Sequence, residues 1–257
     1  MKTLSAAELV TAWEGTVNRS PVQQALGLLK AVYPEYSMER LASLEIGKRD
    51  ALLFTLRERL FGTSLSGVVL CPKCQQRIEL NCQVSDLRVE PVMLDAVDQD
   101  KAVMTITMEG YRVEFRAPNS ADMSSIEADI PPSEAQRWLL ARCIRSVVRT
   151  GKRSVKRKAG VDIDQLPPSV TEAITEQMAQ ADPQADTQLA LTCPDCRHAW
   201  CVTFDIVTYL MKEIHRLVQR ILEEVHILAR AYGWRESDIL AMAPTRRRAY
   251  LELLGHT

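Results

Sequence analysis

Apolar residues follow a helical period at both ends of the chain. Near the N-terminus, Ser5 with Glu8 forms a capping-box pattern, and Ser20 followed by Pro21 is typical of a second helix start. These signals predict several short helices separated by polar turns. We therefore expect an N-terminal helical region over residues 1–62.

The longest helical signal follows residue 205. Its apolar positions recur at steps of three and four residues, and they are Ile206, Leu210, Ile214, Leu217, Ile221, Val225, Leu228 and Tyr232. This spacing predicts one long amphipathic helix that ends at Gly233, inside a C-terminal helical region of residues 206–257. His215 and His226 lie three turns apart on this helix, and we interpret them as surface residues that are candidates for contact with a partner.

The middle of the chain changes to a period of two. Alternating apolar residues on either side of Glu109-Gly110 predict a β-hairpin with a two-residue turn. Ser133 is expected to open a helix that runs to about Arg149. We expect these elements to form an inserted hairpin and helix module over residues 89–186.

Two Cys-Pro-x-Cys motifs carry the strongest chemical signal. Cys71 and Cys74 match Cys193 and Cys196 at a constant offset, and the strands that follow both motifs match as well, so the chain contains a short internal repeat. A Cys-x-x-Cys turn directs two thiolates and several backbone amides at one point, and two such turns build a tetrahedral zinc site. We predict one structural zinc ion per chain. No position is left for a catalytic water because all four ligands come from the protein.

The two motifs are separated by 118 residues, whereas a common zinc ribbon has about 15–20. We therefore expect one ribbon split between residues 63–88 and 187–205, with the intervening residues looped out. The predicted fold is α+β and mostly helical. It has a split zinc-ribbon-like four-cysteine core, a large inserted β-hairpin and helix module, and a long C-terminal amphipathic helix. Three alternatives stay open: a thiol–disulfide enzyme, half-sites that join between two chains, and a ribbon that no longer binds metal.

The charge distribution draws attention to one basic stretch. The chain has a formal net charge of −1, which argues against a protein that coats nucleic acid along its whole surface. The stretch itself contains Arg142, Arg145, Arg149, Lys152, Arg153, Lys156, Arg157 and Lys158. It is compatible with a solvated helix end, with a surface for an acidic protein, or with a nucleic-acid surface that lacks aromatic residues for stacking. We take its first five residues as candidate partner contacts, and nucleic acid is not the expected partner.

The sequence contains none of the common catalytic signatures. GxSxG, Walker A, HExxH and nucleotide-binding fingerprints are all missing, which predicts a protein that is not an enzyme and has no small-molecule substrate. No charge-free apolar run reaches the ~18 residues of a membrane helix, and the N-terminus lacks the pattern of a signal peptide. The remaining cysteines, Cys82, Cys143 and Cys201, are expected to be small buried residues, and His198 is a weak competing candidate ligand.

Several stretches together resemble a known family. Besides the two cysteine motifs, they are Gly47-Lys-Arg-Asp50, Leu56-Arg57 to Leu60-Phe61-Gly62, Arg116-Ala-Pro-Asn-Ser-Ala-Asp122, Ala181-Asp-Pro-Gln-Ala-Asp186, His198-Ala-Trp200, Phe204-Asp205-Ile206, and Glu224-Val-His226 through Trp234 to Tyr250-Leu251. In this order they resemble the baseplate hub assembly chaperone family of T4-type phages. The likeness is closest to its members in gene clusters for contractile injection systems, and it covers about residues 40–254.

The resemblance implies a role in building a baseplate or its hub, without enzymatic activity. The implied partners are hub, spike or other tail proteins, and the implied place of action is the bacterial cytoplasm during assembly. It leaves open whether the protein departs as a chaperone or stays as a permanent component of the particle. A zinc-ribbon nucleic-acid-binding protein and a thiol redox enzyme are the competing functions from other classes.

Overall fold

The computed structural model describes residues 1–89, 94, 103–126, 129–149 and 163–255. The fold is mixed α and β, and about 56% of the described residues are helical. Contacts divide the chain into two compact units. The first contains Met1–Leu41 and Ile206–Thr257, and the second contains Ala42–Asp205. The finer four-part division drawn from the sequence stays a prediction.

The helices in chain order are α1 (Ala6–Thr16), α2 (Pro21–Val32), α3 (Met38–Ala42), α4 (Ile46–Phe61), α5 (Val84–Leu87), α6 (Ser120–Ser124), α7 (Pro132–Cys143), α8 (Pro168–Ala181), α9 (Ile206–Tyr232), α10 (Glu236–Leu240) and α11 (Pro244–Leu253). The strands are β1 (Ser64–Leu70), β2 (Arg77–Gln83), β3 (Met104–Met108), β4 (Tyr111–Phe115), β5 (Ile144–Arg149), β6 (Gln188–Thr192) and β7 (Ala199–Thr203).

The first unit is helical and is organised around α9. The capping box predicted at Ser5 and the helix start predicted at Ser20 are both present, and Ser5 and Ser20 each accept a bond from the backbone of the first turn. Helices α1, α2, α10 and α11 all contact α9. The predicted apolar stripe of α9 is buried along most of its length. Tyr232 is an exception at 37% exposed, and Val218, outside the stripe, is fully buried.

The second unit contains three small antiparallel sheets. Strands β1 and β2 form one hairpin, β6 and β7 form another, and β3, β4 and β5 form a three-stranded sheet in that order. The predicted turn between β3 and β4 is confirmed, since Met108 pairs with Tyr111. Glu109 and Gly110 both have positive φ, at 50° and 76°, which matches the right-handed twist of the strands.

One sequence prediction in this unit is wrong. The helix that begins at Pro132 ends at Cys143 instead of about Arg149, and Ile144–Arg149 forms β5. This segment contains the β-branched residues Ile144, Val147 and Val148, and it pairs with β4 along its length. Pairing with a distant strand therefore decides the local structure. One face of this sheet packs into a core with α7 and α8, built from Val113, Phe115, Leu140, Ile144, Leu166, Val170 and Ile174.

Within the described ranges, each helix is too short or too polar to span a lipid bilayer.

Candidate metal centre

The two cysteine motifs form matching turns at the ends of the hairpins β1–β2 and β6–β7. In the first turn the Cys71 N–H donates to the Gln76 carbonyl at 2.9 Å, and in the second the Cys193 N–H donates to the His198 carbonyl at 2.9 Å. Gln75 and Arg197 occupy the same position of each turn, with φ of 61° and 59°. The internal repeat seen in the sequence is therefore also a repeat of backbone conformation.

The four sulfur atoms meet in one cluster. The Sγ atoms of Cys71 and Cys196 are 3.6 Å apart, as are those of Cys74 and Cys193, and all four lie within 4.8 Å of one another. Tetrahedral zinc with Zn–S bonds of about 2.3 Å separates its sulfurs by about 3.8 Å. The donor set and its dimensions therefore fit a four-coordinate metal ion such as zinc.

The close approach of the thiols shifts the pKa values of Cys71 and Cys74 in opposite directions. Burial raises the pKa of Cys71, but the backbone N–H groups of Cys74 and Lys73 and the neighbouring thiols outweigh it and bring the pKa down to about 7. For Cys74, a backbone N–H bond from Gln76 lowers the pKa, while burial and the other three thiols raise it to about 12. Four thiolates this close repel one another, and a bound dication removes that repulsion.

The remaining cysteines and His198 lie outside the cluster. Burial raises the pKa of Cys143 to about 11, as expected for an inert buried thiol. The expectation of burial is wrong for Cys201, which is exposed, and Cys82 is only partly buried. These two residues lie on β7 and β2, where side chains alternate between the two faces of a hairpin. The His198 ring stacks on Trp200 at 5.9 Å.

The structure describes three of the five candidate contacts in the basic stretch, and two of these three contact side chains of their own chain. The Arg142 side chain donates to Asp122 at 3.2 Å and lies 4.8 Å over the ring of Trp138. Arg149 lies over the Tyr111 ring at 5.6 Å, and Arg145 is exposed on β5. The other two candidates, Lys152 and Arg153, lie outside the described residues. A role of these five residues in partner binding stays a prediction.

The two candidate histidines both lie on the exposed side of α9. The ring of His215 is 5.5 Å from that of Trp13 on α1. His226 is exposed farther along the same helix. Their role as partner contacts also stays a prediction.

A buried polar junction in the second unit was not anticipated from the sequence. The Gly47 N–H donates to the Asp182 carboxylate at 2.9 Å across 135 residues of chain. Arg49 donates to Asp50 at 2.7 Å and to the Ser120 hydroxyl at 3.3 Å. Three of the stretches that carry the family resemblance therefore meet at one buried point. The only sequence feature that marked the residues of this junction is that all three stretches belong to the family resemblance.

The stretch from Arg116 to Asp122 surrounds a buried carboxylate. Asp122 is 1% exposed at its side chain and accepts two bonds from Arg116, at 2.6 and 2.9 Å. It also accepts the Asn119 N–H at 3.0 Å. Burial raises the pKa of Asp122, but Arg116, Asn119 and Arg142 outweigh it and hold the pKa below its ordinary value. This carboxylate is therefore charged and fully bonded in the folded protein.

We expect Gly47→Ala to destabilise the protein by about 2 kcal/mol. A methyl group at this position would meet the Asp182 Oδ1 atom at 1.9 Å and the Ala185 nitrogen at 2.9 Å. The measurement is urea unfolding. The matched control is Gly15→Ala in α1, where a methyl group meets nothing within 4 Å. The control should be stabilised by about 0.5–1 kcal/mol, and a gain in both variants would contradict the close contact.

The buried junction also predicts that the contribution of Asp50 to the stability of the protein falls as the pH rises from 4 to 7. Burial raises the pKa of Asp50 from 3.8 to about 6; Arg49 opposes this shift, and Asp205 and Asp182 add to it. The folded state thus binds this proton more tightly, so the stabilisation is complete below about pH 4 and is lost as the pH rises through about 6. Relative to Asp50→Asn, the stability of the unmodified protein should fall by roughly 2–3 kcal/mol between pH 4 and pH 7.

Urea unfolding of both proteins across this pH range measures the difference. The four cysteines are common to both proteins, so their titration cancels. A difference that stays constant from pH 4 to pH 7 would show that Asp50 titrates normally.

Comparison with known proteins places the chain in a family. The family described as T4 bacteriophage base plate protein matches residues 9–211. No match was found among curated proteins or among solved structures. The matched segment contains both cysteine motifs and all the residues of the buried junction. Because the match spans most of the sequence, the chain belongs to the T4 bacteriophage base plate protein family.

Proposed function

We propose that this protein is a non-enzymatic assembly factor, a chaperone, for the baseplate hub of a phage tail or a phage-tail-like contractile injection system. The observation that carries the proposal is the family match over residues 9–211. The motifs that resemble hub assembly chaperones favour assembly over a passive role. Hub, spike or other tail proteins are the proposed partners, and the bacterial cytoplasm is the proposed place of assembly.

A structural zinc ion is part of this proposal. Cys71, Cys74, Cys193 and Cys196 would hold it, and it would join two hairpins that are far apart in sequence. Four protein thiolates complete the tetrahedral shell, so such an ion would leave no site for substrate or water. The metal would therefore serve stability and not catalysis.

A permanent place in the baseplate is the second candidate function. It is favoured by the family's own description as a base plate protein. Both functions use the same binding partners and differ only in whether the protein leaves the finished particle. The presence of the protein in that particle therefore decides between them.

Quantitative proteomics of the purified particle, beside the lysate in which it assembles, is the test. An assembly factor should bind tail proteins in the lysate and be depleted from the particle. A constant copy number in the particle would establish the structural role. If the protein associates with tail proteins in neither sample, both candidate functions are wrong.

A further inference from the structure

We infer that the exposed face of α9 is a docking surface for an acidic segment of a partner protein. This inference rests on the proposed function and adds to it the chemistry of the contact. We define the face by its exposed residues, which are Lys212, His215, Arg216, Gln219, Arg220, Glu223, His226 and Arg230. It carries four cations against one carboxylate.

The cations form a regular row. Lys212, Arg216 and Arg220 follow one another at four-residue steps, so they lie along one side of the helix over about 12 Å. The opposite side of α9 is fixed in the core of the first unit, with Leu210, Ile214 and Val218 at 0% exposure. The row is therefore presented by a rigid element, which lowers the entropic cost of binding.

Among the described residues, these cations have no partner. Within the described part of the chain, the side chains of Lys212, Arg216, Arg220 and Arg230 form no ion pair and no hydrogen bond. By contrast, Glu224 on the same helix binds the buried Arg247 at 2.7 Å. The helix thus uses a carboxylate beside this face for internal structure, and the four cations of the face make no ion pair with the described residues.

The pattern fits carboxylates better than nucleic acid. Glu223 is exposed on the same face one turn beyond Arg220 and would repel a phosphate placed there. The face has no Phe, Tyr or Trp side chain that could serve as a stacking platform for a base. A partner helix with carboxylates at four-residue spacing would match the row, and a basic residue near Glu223 would complete the match.

Zero-length cross-linking tests this surface directly. A carbodiimide joins a lysine amine to a carboxylate only where the two are in contact, and Lys212 is the one lysine of the face. The full-length tagged protein is isolated from assembling cells with its bound tail proteins and treated with nuclease and carbodiimide. Mass spectrometry then identifies what is joined to Lys212. We expect an Asp or Glu residue of a tail protein.

Paired charge reversals supply the control. Arg216→Glu with Arg220→Glu keeps Lys212 but reverses its neighbours, and should lower the yield of that cross-link on the order of tenfold. The matched variant is Arg235→Glu with Arg248→Glu, two exposed arginines of the same unit that lie outside the face. It has the same change of net charge and should keep the cross-link. Thermal melting checks that both variants are folded.

The outcomes separate this inference from the proposed function. If tail proteins co-purify while Lys212 stays unmodified or joins only to its own chain, the exposed face of α9 is not the docking surface and the proposed function stands. Loss of the complexes on nuclease treatment would identify a nucleic-acid surface and overturn the inference. An equal loss of the cross-link in both charge-reversed variants would show general charge attraction and overturn it as well. If no tail protein co-purifies, the proposed function itself fails.

Discussion

Replacing Cys74 by serine is expected to abolish stoichiometric metal binding and to destabilise the protein by more than about 4 kcal/mol. Serine is a poor ligand for zinc, and three thiolates that remain within 4.8 Å of one another would repel without a bound cation. The two hairpins would also lose the bond that joins them across 118 residues of chain. Metal content by mass spectrometry and thermal melting are the two measurements.

Cys201→Ser is the matched control for this prediction. Cys201 is exposed on β7 and is not one of the four clustered residues. Its replacement should leave one metal ion per chain and an unchanged melting temperature. A strong chelator should reproduce the Cys74→Ser effect in the unmodified protein. Full metal content and unaltered melting in Cys74→Ser would rule out the structural metal.

The cluster could be predicted from the sequence because the geometry of each turn is local and four cysteines are a common ligand set of one zinc ion. A Cys-Pro-x-Cys turn has few conformations, and the repeat around Cys71 and Cys193 indicates that both turns adopt the same one. The helices of the first unit are predictable for the same reason, since the caps at Ser5 and Ser20 and the stripe of α9 depend on neighbours within a few residues.

The parts of the fold that depend on contacts between distant residues could not be predicted from the sequence. The segment Ile144–Arg149 follows a helix without a break, and only its pairing with β4 makes it a strand. The contact between Gly47 and Asp182 joins residues 135 positions apart, and no spacing rule predicts which carboxylate a given amide will meet. The resemblance marked both stretches, but it did not indicate that they touch.

Asp122→Asn should destabilise the second unit by about 3–5 kcal/mol, the usual cost of breaking a buried ion pair on one side. Asparagine has nearly the same shape, so the backbone turn at Asn119 can persist. The charge, however, is lost. The Arg116 guanidinium makes two bonds to Asp122 with its side chain only 19% exposed, and it would remain as an uncompensated cation.

Urea unfolding at pH 7 measures this cost, and Asp129→Asn is the matched control because Asp129 is exposed in the same unit. The control should change stability by less than about 0.5 kcal/mol.

The pH dependence of stability gives a second check on the Asp122 prediction. The folded pKa of Asp122 lies below the ordinary value of 3.8, so its stabilisation is present above about pH 4 and is lost as the pH falls through the folded pKa. The difference in the free energy of unfolding between the unmodified protein and Asp122→Asn should therefore become smaller as the pH falls. The stabilisation from Asp50 should change in the opposite direction, because it is largest at low pH. Equal stability of Asp122→Asn and the control Asp129→Asn at pH 7 would show that Arg116 is adequately solvated without its partner.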